Sequence, residues 1–176
     1  MIISVEKAKE LVSFNGWTDE KIKMKLLAVE QTIRAYTNNN FQNRGYRLDD
    51  VSIRAGVFMS EALIPFDVDD TVQISESRYN NGLFVVSEVS DDTTFMVEED
   101  TRDEDNVLVT KVDYPADVVA CCIDLLEWDV KHGGKIGIKS ETLSRHSVTY
   151  EDSSSLFMGY PVGILNGLKL HMKARF

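Results

Sequence analysis

The sequence predicts an α+β fold: a discontinuous helical-bundle domain interrupted by a small antiparallel β-barrel or sandwich. Three observations predict it. Apolar residues recur at helical spacing toward both ends of the chain. Between them, residues 44–112 are rich in β-branched side chains and broken by Asn, Asp and Gly turn signals. Charge divides at nearly the same borders. Residues 44–114 carry 6 Lys/Arg against 17 Asp/Glu, a net of −11, and the rest of the chain carries 13 against 12, a net of +1. The expected domains are therefore 1–43 with 113–176, helical, and 44–112, an acidic β insertion.

The first helix is expected over residues 4–14, with Ser4 as N-cap, Val5, Ala8, Leu11 and Val12 on one face, and Asn15-Gly16 as its end. The second starts at Thr18, whose followers Asp19 and Glu20 sit where the helix dipole favours acids. Ile22, Leu26, Val29 and Ile33 form its apolar face, and Asn38-Asn39-Asn40 ends it. Such a pair cannot bury its own face, so it needs later parts of the chain. Strands are expected at Val51-Ser52-Ile53-Arg54, Thr71-Val72-Gln73-Ile74-Ser75, Leu83-Phe84-Val85-Val86, Thr93-Thr94-Phe95-Met96-Val97 and Val107-Leu108-Val109-Thr110. Tyr79-Asn80-Asn81-Gly82 and Asp91-Asp92 are the turns, the former through the positive φ that Asn and Gly tolerate. Five or so short strands suit a small barrel or sandwich. Helical spacing returns after Pro115, with Val119, Ile123, Leu126 and Val130 as the core face, Trp128 at a rim and Gly133-Gly134 as the stop. Residues 140–151 read as extended, and Pro161 opens a short helix carrying Val162, Leu165 and Leu168.

Composition narrows the function classes. The chain has 176 residues, 43% hydrophobic and 27% charged, enough for a real core. No apolar run approaches the roughly 20 residues of a membrane helix. The first seven residues do not pair a basic region with an apolar stretch, so synthesis in a cytoplasm is expected. Cys121 and Cys122 are adjacent and read as small apolar helix residues, neither a disulfide nor a zinc site. The acidic insert argues against phosphate binding, which needs clustered Lys and Arg.

The order of segments resembles the head–tail connector (adaptor) proteins of tailed bacteriophages. Four elements carry the resemblance. They are the acid-led helix from Thr18-Asp19-Glu20 to Asn40-Phe41, the proline-started helix at 115–132, the stretch Lys139-Ser140-Glu141-Thr142-Leu143-Ser144-Arg145-His146-Ser147-Val148-Thr149-Tyr150-Glu151, and the short helix after Gly159-Tyr160-Pro161. Asp70-Thr71-Val72-Gln73-Ile74 with Asn80-Asn81-Gly82-Leu83-Phe84 is similar to an insertion that some of these proteins carry. The long insert departs from the simplest members. The resemblance implies a structural virion protein and no enzyme. It implies a homo-oligomeric ring, commonly dodecameric, docked under the portal protein and above a tail-proximal neck or stopper protein. DNA would pass through the lumen without sequence-specific binding, and the protein would reside in the virion neck after assembly in the host cytoplasm. Candidate partner contacts are Ser144, Arg145, His146, Val148 and Tyr150 in the extended stretch, and Leu168, Lys173, Arg175 and Phe176 at the basic, aromatic-tipped end.

Catalytic readings have little to stand on. Ser144 and His146 lie two apart on an extended segment, but a triad also needs an orienting acid and an oxyanion hole. Asp67, Asp69 and Asp70 lack the Gly and the distal Glu of a calcium loop. No catalytic residue, cofactor or metal site is therefore expected. Two other functions remain in view: another neck or tail-completion protein, and an acidic inhibitor that mimics DNA through the −11 insert.

Overall fold

The computed structural model describes residues 1–132, 140–143, 146–149 and 156–174, with 140–143 and 146–149 described through their backbone alone. Two compact units emerge: Met1 with residues 40–114, and residues 2–39 with 115–176.

In the discontinuous unit, α1 (Val5–Leu11) begins where Ser4 Oγ accepts from the Lys7 amide at 3.1 Å. The longer α2 (Asp19–Thr37) begins where Thr18 Oγ1 accepts from Lys21 N at 3.3 Å, and ends on Asn38 in the left-handed conformation. Ile22, Leu26, Val29 and Ile33 are all buried, as their spacing predicts. After Pro115, α3 (Ala116–His132) packs on α2. Its buried stripe is Val118, Cys121, Cys122, Leu125, Leu126 and Asp129. The expected face was drawn about one residue off, because Val119, Ile123 and Val130 are only half-buried. α3 is apolar on two adjoining stripes, so periodicity alone does not choose between them.

The rest of this unit corrects the expected fold class. It is not a helical bundle. Antiparallel pairs β7 (Ser140–Leu143) with β8 (His146–Thr149), and β9 (Leu156–Phe157) with β10 (Tyr160–Pro161), belong to it. After β10 come a single helical turn, α4 (Val162–Leu165), and a 3-10 helix, Asn166–His171. Leu165 and Leu168 from these last turns are buried.

The insert is a closed six-stranded antiparallel barrel, where five or so strands of a barrel or sandwich were expected. Its strands are β1 (Gln42–Arg54), β2 (Val57–Met59), β3 (Thr71–Ser75), β4 (Gly82–Asp91), β5 (Thr94–Val97) and β6 (Glu104–Val112), in the order β1-β2-β5-β4-β3-β6 with β6 closing on β1. Closure leaves no free sheet edge. Core side chains include Leu48, Val51, Ile53, Val72, Ile74, Val86, Val107 and Val109 around an aromatic cluster. Phe58 stacks on Phe95 at 4.7 Å, and Phe66 meets Phe95 edge-on at 5.5 Å. Each fully buried Phe contributes roughly 1.5–3 kcal/mol relative to exposure. β1 begins nine residues before the expected strand because three register shifts break its alternation. Its buried residues fall at 48, 51 and 53, a spacing no regular strand produces.

The barrel's entry and exit meet. Asp113 N donates to Phe41 O at 3.0 Å, and the Phe41 and Tyr114 rings lie 5.1 Å apart. Loop closure across such a short gap costs little. Replacing residues 41–113 with a short Gly/Ser linker should therefore leave a soluble product with the helical circular dichroism of α2 and α3. A wholly unfolded product would show that the two units share one folding core.

Candidate functional site

The most elaborate polar construction in the barrel surrounds Glu104, the first residue of β6. Its carboxylate accepts from Ser77 Oγ at 2.6 Å, from Arg78 N, from Tyr79 N at 3.3 Å and from Asn80 Nδ2 at 2.9 Å. Asn80 also brackets the backbone of Arg102, its Nδ2 donating to Arg102 O at 3.0 Å and its Oδ1 accepting from Arg102 N at 2.9 Å. Asn81 bonds the Ser77 backbone through both ends of its amide. The turn at 77–81 is thus held by side chains. The positive φ expected in it falls instead on Glu76, at 56°. These hydrogen bonds, led by those from Ser77 and the Arg78 amide, hold the Glu104 carboxyl below its ordinary range against the opposing effect of burial.

The clasp presents a tip. Tyr79 is 52% exposed, with the Arg78 guanidinium 5.3 Å and the Arg102 guanidinium 5.6 Å from its ring centre. Elsewhere in the barrel, cations meet acids. Arg54 bonds both oxygens of Asp105 at 2.6 and 2.7 Å, and Lys111 reaches Asp70 at 2.6 Å.

In the discontinuous unit, α2 leaves one face uncovered. Met24 is 72% exposed and Leu27 37%. They stand beside a shallow groove of about 380 Å³ lined by Thr18, Glu20, Lys21, Met24, Lys25 and Ala28, where Lys21 Nζ lies 3.9 Å over the Trp17 ring. Below this face runs an internal polar link. Asp129, only 6% exposed, accepts from Tyr160 OH at 2.6 Å and from Lys25 Nζ at 3.1 Å. Burial and the neighbouring Asp129 push the Tyr160 phenol well up, so it remains a donor. Burial likewise pushes the Cys121 and Cys122 thiols up to about 12, so neither is a nucleophile at neutral pH. Among the described residues, no group of three or more His, Cys, Asp or Glu is placed to hold a metal, and no helix is long and apolar enough to cross a membrane.

The sequence-derived contact residues fare unequally. Ser144, Arg145, Tyr150, Arg175 and Phe176 lie outside the described residues. His146 and Val148 stand in β8, opposite Leu143 and Glu141, with their side chains outside the description. Lys173 is exposed, but its backbone is tied to the end of α2: its N donates to Thr37 O at 2.8 Å, and its carbonyl accepts from Asn38 Nδ2 at 3.3 Å. Leu168 is corrected. At 1% exposure it is a core residue of its own unit and offers nothing to a partner. Sequence reasoning missed the Glu104 clasp and the Tyr79 tip. The available signal was the Ser77/Asn80/Asn81 cluster, whose side chains bond backbone readily.

No protein-family model matches the chain, and no curated protein matches it.

Two outcomes check this geometry. Leu168→Ala should destabilise its unit by about 2–5 kcal/mol in urea unfolding, as for a buried leucine that leaves a cavity. Since Glu104 has its carboxyl lowered on folding, its contribution is present above the ordinary value of 4.5 and is lost as pH falls through the folded value. Amide exchange at Arg78 and Tyr79 should therefore accelerate on acidification, and Glu104→Gln should accelerate it at neutral pH. Unchanged protection in both cases would remove Glu104 as the holder of the turn.

Proposed function

We propose that the chain is a structural subunit of a tailed-bacteriophage neck, a head–tail connector that joins the DNA-filled head to the tail and catalyses nothing. It assembles as a homo-oligomeric ring, commonly dodecameric in such proteins, below the portal protein and against a tail-proximal stopper. DNA crosses the lumen without sequence-specific contacts. The protein belongs to the virion neck and to the host cytoplasm before assembly. The observation that carries this reading is the uncovered face of α2, where Met24 and Leu27 stand exposed beside Lys21. Large apolar side chains on a well-formed helix gain when a neighbouring subunit covers them. The order of elements supports the same reading: paired helices, inserted barrel, proline-led helix, an antiparallel pair at 140–149 and a short C-terminal helix.

The DNA-mimic alternative is weakened by how the acids are used. Glu104 faces its own turn, Asp105 holds Arg54, and Asp70 holds Lys111. These carboxylates serve the barrel's own fold. A mimic would aim them outward at phosphate-like spacing. Another neck or tail-completion role differs only in the neighbouring protein.

Electron micrographs of the purified protein should show rings, and labelled antibody should bind at the neck of intact particles. Phage lacking the chain should accumulate DNA-filled heads without tails. A protein that forms no rings and labels no particle would overturn the connector reading.

A further inference from the structure

The barrel carries two complementary ends. At one stands the tip of Arg78, Tyr79 and Arg102, all exposed. Their guanidinium groups face a tyrosine ring, although they belong to the most acidic part of the chain. Among the described residues neither arginine has a carboxylate partner, whereas Arg54 and Lys111 in the same barrel do. A cation meant only for solubility would need no rigid mount. Here Glu104 and Asn80 fix the backbone on both sides of the ring, which removes ordering cost from any docking event.

At the other end lie Glu88, Asp91 and Asp92, exposed around the β4–β5 turn. Hydrogen bonds from the Thr93 backbone, and from the Thr94 and Thr93 side chains, keep the Asp91 carboxyl below its usual range, so this end stays charged. Strand β4 connects the two ends, leaving the tip at Gly82 and finishing at Asp91. Nine steps of about 3.3 Å separate them by roughly 25–30 Å, allowing for the strand's bulges. The basic aromatic tip and the acidic turn therefore cannot meet within one barrel.

We propose that the Arg78–Tyr79–Arg102 tip of one chain docks on the Glu88–Asp91–Asp92 turn of a second copy, barrel head to barrel tail. Tyrosine and arginine are favoured interface anchors, and the opposing charges set the direction. A contact between two different patches is heterologous, and such contacts close into rings when the rotation allows. This inference deepens the connector reading and rests on its ring for closure, but the contact itself is read in solution.

The test uses the full-length protein in sedimentation velocity and mass photometry across a salt series. Arg78→Glu with Arg102→Glu reverses the tip, and Glu88→Arg with Asp92→Arg reverses the turn. All four positions are exposed, and circular dichroism checks the fold. Each reversed protein alone should self-associate about tenfold or more weakly than the parent. An equimolar mixture of the two should regain association, because each reversed tip then faces a reversed turn. The milder Tyr79→Ser should weaken association without changing its salt dependence. Association unchanged in the tip variant, a mixture that does not recover, or a parent chain that stays monomeric at its highest soluble concentration would each overturn the contact. So would a fluorescent single-stranded oligonucleotide that binds the parent and not the tip variant while self-association is unaltered; the tip would then belong to nucleic acid. Rings that persist in the tip variant leave the connector reading standing. Particles whose necks lack the protein defeat that reading while the solution contact still holds.

Discussion

An insertion can leave its host fold intact only if its two ends meet, and the 3.0 Å hydrogen bond from Asp113 N to Phe41 O meets that condition. The chain enters the barrel through Phe41 in a left-handed conformation, φ 52°, which a bulky residue adopts only under constraint. The Tyr114 ring beside it supplies the packing. Because entry and exit are adjacent, α2 and α3 can pack as though no barrel had been inserted between them. Because the barrel closes from β6 onto β1, it presents no free edge to other copies. Each unit then answers to its own core.

The acids in the insert have two different jobs that net charge alone does not separate. Asp70, Glu104 and Asp105 are internal ligands with a lysine, a turn and an arginine to hold. Glu88, Asp91 and Asp92 remain at the surface and define a direction along β4. A net of −11 spread evenly would only repel other copies. Placed at one end of the barrel, the same charge gives a patch that an arginine-bearing surface can recognise.

Much of the fold was legible in the sequence where local rules act alone. The caps Ser4 and Thr18, the α2 face of Ile22, Leu26, Val29 and Ile33, and the burial of both cysteines follow from spacing and polarity. The closed barrel was only half legible. β2 is three residues long, and β1 is bulged, so neither keeps the alternation by which strands are recognised. The helical-bundle expectation failed because two-residue strands such as β9 and β10 carry no periodic signal. The candidate site was less legible still. Leu168 was placed among partner contacts because a short terminal helix seemed to need an outside surface, but the unit itself supplies that surface. The clasp around Glu104 brings residue 104 to residues 77–80, a pairing that no local pattern announces.

The same clasp bears on chemical ageing. Asn81 precedes Gly82, a dipeptide that deamidates readily in flexible chains because the glycine amide nitrogen can swing onto the asparagine side-chain carbonyl. In the barrel, both ends of the Asn81 amide are engaged with the Ser77 backbone, its Oδ1 accepting from Ser77 N and its Nδ2 donating to Ser77 O. Gly82 is already committed to β4. The side chain must break both bonds and the strand must yield before the ring can close. A turn built to hold a tyrosine in place thereby also acts as a preservative, slowing the introduction of a new negative charge beside the two arginines over the lifetime of the folded protein.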